Sequence, residues 1–222
     1  LDINKPSLFS NLEYLFNYQI GSMYFRYLMW NFSGRQNDVK WEKNQLNGNW
    51  ISGIKFIDEF RLGPQSNLPD DAENNKARNT YYMLPFILGL IGFAFLFRKD
   101  KNLFWIVTLL FLFTGLALKV YLNERIFEPR ERDYALVGSF YIFAIYIGLS
   151  LFSILNFLKR IISEKKSVPI ISVLLLSVPV LMAFENWDDH DRSDRYTAQS
   201  LAKAYLNSID KDKDAMIFTI GD

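Results

Sequence analysis

Four long apolar runs constrain this 222-residue chain more than anything else in it: Tyr81–Phe97, Leu103–Leu122, Tyr134–Leu158 and Val168–Phe184. A helix needs roughly 20 apolar residues to cross the hydrocarbon core of a bilayer. The two middle runs reach that length and the outer two fall just short. In water such runs leave more apolar surface exposed than a chain of this size can hide. In lipid a helix satisfies its backbone groups internally. The chain therefore reads as an all-α integral membrane protein with four transmembrane helices.

The mean hydropathy of +0.01 conceals this, because the polar stretches at residues 1–80 and 185–222 dilute the apolar runs. A net charge of +1 gives no bulk field for nucleic acid, which is excluded as a partner. The lack of cysteine rules out disulfides, zinc–thiolate sites and a thiol nucleophile, and the single histidine, His190, rules out a histidine-rich metal site. Tyr81, Tyr82, Trp105, Tyr121, Tyr134 and Trp187 lie near the ends of the runs, where amphipathic rings favour the headgroup layer. Leu1 does not open a signal peptide, and both ends read as cuts within a longer chain.

Lysine and arginine accumulate in cytoplasmic loops. The first connector, Arg98–Asn102, carries Arg98, Lys99 and Lys101, and the third, Lys159–Ser167, carries Lys159, Arg160, Lys165 and Lys166. The second, Asn123–Asp133, offsets its arginines with Glu124, Glu128, Glu131 and Asp133. Connectors one and three are thus expected on the cytoplasmic side, with both termini on the outer side. Residues 1–80 then form an outer-face region, residues 81–184 the four-span bundle, and residues 185–222 an acidic motif leading into a soluble domain.

Within the outer region, Leu8, Leu12, Leu15, Phe16, Ile20, Met23, Tyr24 and Tyr27 recur at helical spacing, which predicts an amphipathic helix over Ser7–Trp30. Asn47–Pro64 reads as a loop with a short membrane-hugging segment, and Asn67–Asn79 as a polar linker. Pro85 and Pro179 fall within the runs and are expected to kink them. Lys119 is expected to snorkel to an interface. The pairs Gly89 with Gly92 and Gly138 with Gly148 predict close helix packing. After the fourth run, Tyr196–Ser208 reads as a helix and Ala215–Ile220 as a strand.

Four polar strings could carry chemistry. Glu128–Asp133 presents Arg130 and Arg132, whose planar guanidinium forks suit a lipid phosphate or pyrophosphate; the same residues could equally neutralise their acidic neighbours. Asp188, Asp189, His190 and Asp191 could bind a divalent cation, with Asp189 and Asp191 as its ligands, serve as acid and base, or cap the following helix beside Arg192 and Arg195. Trp30–Asp38 mixes amides, Arg35, Asp38 and aromatics in a way that suits a sugar, or else forms a turn at Gly34. Asn31–Ser33 matches a glycosylation sequon.

The strings Trp30–Asp38 (WNFSGRQND), Asn47–Ile54 (NGNWISGI), Glu128–Ala135 (EPRERDYA) and Asn186–Ser193 (NWDDHDRS) closely resemble the protein O-mannosyltransferase-like family of bacterial membrane proteins. The resemblance runs from about Phe9 to Asp222. It implies a GT-C class glycosyltransferase, a multi-span enzyme that takes a sugar, mannose or another hexose, from a polyprenyl-phosphate donor on the outer, periplasmic face of the inner membrane. The acceptor it implies is a protein. It also implies that Arg35, Asp38, Arg130, Arg132, Asp189 and Arg192 bind donor or acceptor, and that the general base lies upstream, so that this stretch alone is inactive. The rival expectation is non-enzymatic: a membrane anchor or assembly subunit that docks a partner through its outer loops. A transporter is disfavoured by the scarcity of ionisable residues within the runs.

Overall fold

The computed structural model describes residues 5–40, 44–125, 132–161, 163–209, 216 and 218. The chain divides into two compact units, Leu1–Asn186 and Trp187–Asp222. In the first, a helical stretch runs through α1 (Leu8–Glu13), a π-helical segment (Tyr14–Phe25) and α2 (Arg26–Phe32). Next come β1 (Gly34–Arg35), α3 (Lys55–Leu62), α4 (Asp70–Glu73) and β2 (Asn79–Thr80). Helices α5 (Leu84–Lys99), α6 (Lys101–Leu112), α7 (Leu118–Leu122), α8 (Val137–Leu158) and α9 (Glu164–Glu185) complete the unit. The second unit holds α10 (Trp187–His190) and α11 (Thr197–Asn207).

Three of the described helical stretches are long and apolar enough to cross a membrane: Lys101–Leu122, Asp133–Leu158 and Lys165–Glu185. The stretch expected to be the first span is shorter. Tyr82 and Met83 turn with left-handed backbone, at φ 54° and 57°, so α5 begins only at Leu84 and runs 16 residues. Pro85 therefore sits in the first turn of α5, where its missing N–H costs nothing, and does not kink the helix. Pro179 and Pro169 do lie inside α9. Asp100 separates α5 from α6 and caps the latter, its carboxylate accepting from the backbone N–H groups of Asn102 and Leu103, each at 3.0 Å.

The core is aromatic. Leu28 and Phe32 from α2, Leu96 from α5, Phe104 from α6, and Phe143 and Tyr146 from α8 form one buried cluster. The rings of Phe32 and Phe143 lie 4.5 Å apart, and Tyr146 shares a 2.9 Å hydrogen bond with Thr108. Helices α5 and α8 run parallel in register, since Gly89 meets Phe143, Gly92 meets Tyr146, and Phe95 stacks near Phe152. A side chain at Gly92 would collide with the Tyr146 backbone carbonyl, so only glycine allows this approach. Gly138 packs against Thr114 in the expected way. Gly148 has nothing within 4 Å of where a Cβ would sit, so the packing role expected of it is not filled.

Other expectations change as well. The segment expected to be an amphipathic helix, lying in the interface or packed on the bundle, is helical from Leu8 to Phe32; Leu8, Leu12 and Phe16 are exposed, and Gln19, Ser22 and Arg26 are buried. The stretch Asn47–Pro64, read as a loop with a short membrane-hugging segment, contains α3, whose Phe56 and Phe60 are exposed while Asp58 is buried. Lys119 does not snorkel. It is 3% exposed and pairs with Glu124. Tyr81, expected in the headgroup layer, is buried. The strand expected over Ala215–Ile220 lies outside the described residues apart from Met216 and Phe218.

Unfolding of the full chain in mixed micelles tests the helix contact. Gly92→Ala is expected to lose about 1–3 kcal/mol through overpacking, whereas Gly148→Ala stays within about 0.5 kcal/mol of wild type.

Candidate functional site

The polar strings of the first unit gather at one end of the bundle because short backbone pairings hold them there. Strand β1 pairs antiparallel with β2, Gly34 opposite Thr80 and Arg35 opposite Asn79, while Arg35 also bridges to Trp50. A Cβ on Gly34 would stand 2.6 Å from the Asn79 carbonyl oxygen and 2.9 Å from that of Ile51, so the close crossing of these three segments requires glycine. The end of α9 joins the same cap. Thr80 N–H donates to Glu185 Oε2 at 3.0 Å, the Asn79 and Asn186 amides meet at 2.8 Å, and Asn186 Nδ2 donates to the Tyr81 hydroxyl at 2.6 Å.

Most of the amides in this cap are consumed in shaping it. Asn37 is buried; its Oδ1 accepts from Gly48 N–H at 2.9 Å, and its Nδ2 donates to Asn47 Oδ1 at 3.0 Å. Asn49 Nδ2 donates to Gln36 Oε1 at 2.9 Å and to the Asn44 carbonyl at 3.0 Å. Asp58 closes the next turn, accepting from Ser52 N–H at 2.7 Å and Gly53 N–H at 2.9 Å. These are charge-assisted bonds inside the protein, among the stronger kind.

Two tryptophans organise the cations. Trp30 is buried, with the guanidinium carbon of Arg26 4.7 Å and that of Arg35 5.9 Å from its ring centre. Its indole Nε1 finds no acceptor among the described residues. Arg26 also donates to the Gly48 carbonyl at 2.9 Å, and Arg35 Nε to the Ala77 carbonyl at 2.9 Å. Arg61 lies 3.5 Å over the Trp50 ring and donates to the Trp50 carbonyl at 3.0 Å. Burial pushes the Arg61 and Arg78 guanidiniums down from their ordinary value, and the carboxylate of Asp58 pulls both partly back. Both remain cations, since arginine keeps its proton in proteins.

The second connector meets the leading helical stretch at this same end. The Tyr27 hydroxyl donates to Asp133 Oδ2. Lys119 Nζ donates to both carboxylate oxygens of Glu124, at 2.9 and 3.1 Å, and to the Arg132 carbonyl at 3.2 Å. The Tyr14 hydroxyl donates to the Glu124 carbonyl at 2.8 Å, and Gln19 Nε2 to Asn123 Oδ1 at 2.8 Å. The backbone at Arg132 is thus anchored from within while its side chain is exposed. Arg130 lies outside the described residues, as does Glu128.

Of the residues singled out from sequence, Arg35 is half-buried and spent on Ala77 and Trp30, whereas Asp38 is exposed and makes no ion pair among the described residues. The sequon is turned inward: Ser33 is fully buried with its hydroxyl donating to the Ile51 carbonyl at 3.0 Å, and Asn31 donates to the Tyr27 carbonyl at 2.8 Å. In the second unit, the Asp189 carboxylate lies 2.6 Å from His190 Nδ1, and Asp191 Oδ1 accepts from Ser193 N–H at 3.0 Å and Oγ at 2.7 Å. Arg192 is exposed. Among the described residues no group of three or more histidine, aspartate or glutamate side chains is placed to hold a metal ion. Sequence reasoning missed the Lys119–Glu124 pair and the Arg61–Trp50 stack. The first carried a signal, a lysine inside an apolar run five residues from a glutamate.

Below the cap, Pro85 and Leu88 of α5, Ile147 and Gly148 of α8, and Leu175 and Pro179 of α9 border a cleft of about 550 Å³ that is almost wholly apolar. Phe32 reaches it from α2. Gly148, which packs against nothing, thereby opens one wall of the cleft. No protein family, characterised protein or solved structure matches this chain.

A double-mutant cycle tests the anchoring of Arg132. Lys119→Met alone leaves a buried uncompensated carboxylate and is expected to cost about 3–5 kcal/mol, with most of it recovered in Lys119→Met/Glu124→Leu. Chemical unfolding in micelles reads both.

Proposed function

We propose that these residues form part of a GT-C type glycosyltransferase that moves a hexose, mannose first among the choices, from a polyprenyl-phosphate donor to an acceptor protein at the outer face of a bacterial inner membrane. In this reading α5 is a fourth, short span beside the three longer ones, and both termini lie on the periplasmic side. The observation that carries it is the meeting, at one end of an apolar bundle, of Trp30–Asp38, Asn47–Gly53, Asp133 and Asn186, which are far apart in sequence. A polar cap over apolar helices matches a donor that is a sugar phosphate at one end and a hydrocarbon at the other. The apolar cleft beneath the cap supports the same match, since it is a place for the chain of such a lipid.

Chemically, the acceptor hydroxyl oxygen forms a bond to the anomeric carbon while the bond from that carbon to the phosphate oxygen breaks with inversion. A carboxylate outside these 222 residues takes the hydroxyl proton. The lipid phosphate leaves with the bonding electrons, and Arg132, joined by Arg130, holds the charge that develops on it. Electrostatic stabilisation of this kind contributes about 3–4 kcal/mol per well-placed donor. Asp38 in the first unit and Arg192 in the second are each exposed and suited to contact sugar or acceptor, and the same role is assigned to Asp189. Arg35 serves by holding Trp30 and the β1–β2 crossing in place.

A docking role without catalysis is favoured by one feature, the exposed Leu201, Tyr205 and Leu206 of α11. Sugar transfer decides between the two. Membranes carrying the intact protein, given polyprenyl-phosphate mannose and outer-face acceptor proteins, are expected to add hexose to an acceptor by mass spectrometry. Arg132→Ala should abolish that gain with membrane insertion unchanged. Wild-type turnover in the variant removes the arginine from the site, and no transfer by either protein favours docking.

A further inference from the structure

At the end of the bundle away from the polar cap lies a second cleft, of about 440 Å³, which the transfer reaction does not use. Arg98 from the last turn of α5 and Arg160 just beyond α8 both line it, with Ser153 and Asn156 between them and Phe95 and Phe157 along the wall. The parallel course of α5 and α8 puts these two arginines together although 62 positions separate them in the chain. Both are exposed, and neither guanidinium has a carboxylate or hydrogen-bond partner among the described residues. That distinguishes them from Arg26, Arg35 and Arg61 of the cap, whose groups are held by carbonyls and indoles.

We propose that this cleft binds the phosphate headgroup of an anionic phospholipid. A phosphodiester offers two charged oxygens, and two guanidinium forks from opposite walls can each take one, with the Asn156 amide and Ser153 hydroxyl completing the donor set. The arginines sit where the apolar helices end, which is the depth of the headgroups. Phe95 and Phe157 continue from there along the helices, so an acyl chain lies against them while the phosphate is held. That apolar continuation selects a lipid over a soluble phosphate. Basic pockets between membrane helices commonly take such headgroups. The lipid would tie the ends of α5 and α8 together.

Native mass spectrometry of the full chain, released from micelles holding equal amounts of phosphatidylglycerol and phosphatidylcholine, tests this. Two charge-assisted contacts are worth at least about tenfold in affinity, so wild type is expected to retain phosphatidylglycerol at least tenfold over phosphatidylcholine. Arg98→Gln/Arg160→Gln should bring retention down to the phosphatidylcholine level, while Lys165→Gln/Lys166→Gln, neutralising the same connector outside the cleft, should leave it unchanged. Ala94→Trp fills the slot and keeps both arginines. It should also lose the lipid, and it decides the matter should the double arginine variant fail to fold. Undiminished retention by either cleft variant overturns the site, and equal loss in the lysine variant replaces it with diffuse charge attraction. Displacement of the lipid by excess inorganic phosphate reassigns the cleft to a soluble anion.

Discussion

The approach of α5 to α8 at Gly89 and Gly92 sets the rest of the structure. Between membrane helices there is little hydrophobic gain from contact, because lipid tails are as apolar as the side chains they would replace; packing must supply the attraction. Here it does so by backbone contact, with Gly92 against the Tyr146 carbonyl and Gly89 under the Phe143 ring. Phe143 and Tyr146 then reach Phe32 and Phe111, and through them the leading helical stretch and α6. Because the two helices are parallel, like ends coincide. One end carries the cap and the other carries Arg98 and Arg160.

The cap shows how a membrane protein spends its polar residues. Asn37, Asn49, Asp58, Arg26 and Arg35 all have polarity that suits a ligand, yet their hydrogen bonds go to the chain itself. Loops that lie over an apolar bundle cannot leave amides unpaired where water is scarce, so side chains replace the missing ladder partners. The result is a self-bonded frame with Asp38 and Arg132 exposed on it. Lys119 and Glu124 belong to that frame. A buried pair of this kind adds little net stability but fixes one arrangement, since breaking it strands a charge.

Much of the fold was legible because apolar length is a robust signal: Leu103–Leu122, Tyr134–Leu158 and Val168–Phe184 correspond closely to the long helices found. The first run misled because Tyr81, Tyr82 and Met83 are as apolar as a helix start. Tyr81 is instead buried under the cap, and the next two residues turn left-handed, a conformation that apolarity does not report. In the leading helical stretch the 3.6-residue spacing left open which face meets the bundle, and the π-helical turns over Tyr14–Phe25, which depart from that period, bury Gln19 and Ser22. In the candidate site, the polar strings were visible as motifs while the division between framework and free residues was not. Arg35 and Asp38 look equivalent three positions apart, and only the pairing of β1 with β2 separates them.

The parallel pairing of α5 with α8 also has a consequence in time. Gly92 emerges from the ribosome more than fifty residues before Tyr146, the residue it must meet. At about 5–20 residues per second, that interval lasts roughly 3–11 s. Through it, the glycine face of α5 stands without the helix that covers it in the folded unit. α5, shorter than any of the three stretches long enough to cross a membrane, is therefore also the one that waits longest for its neighbour.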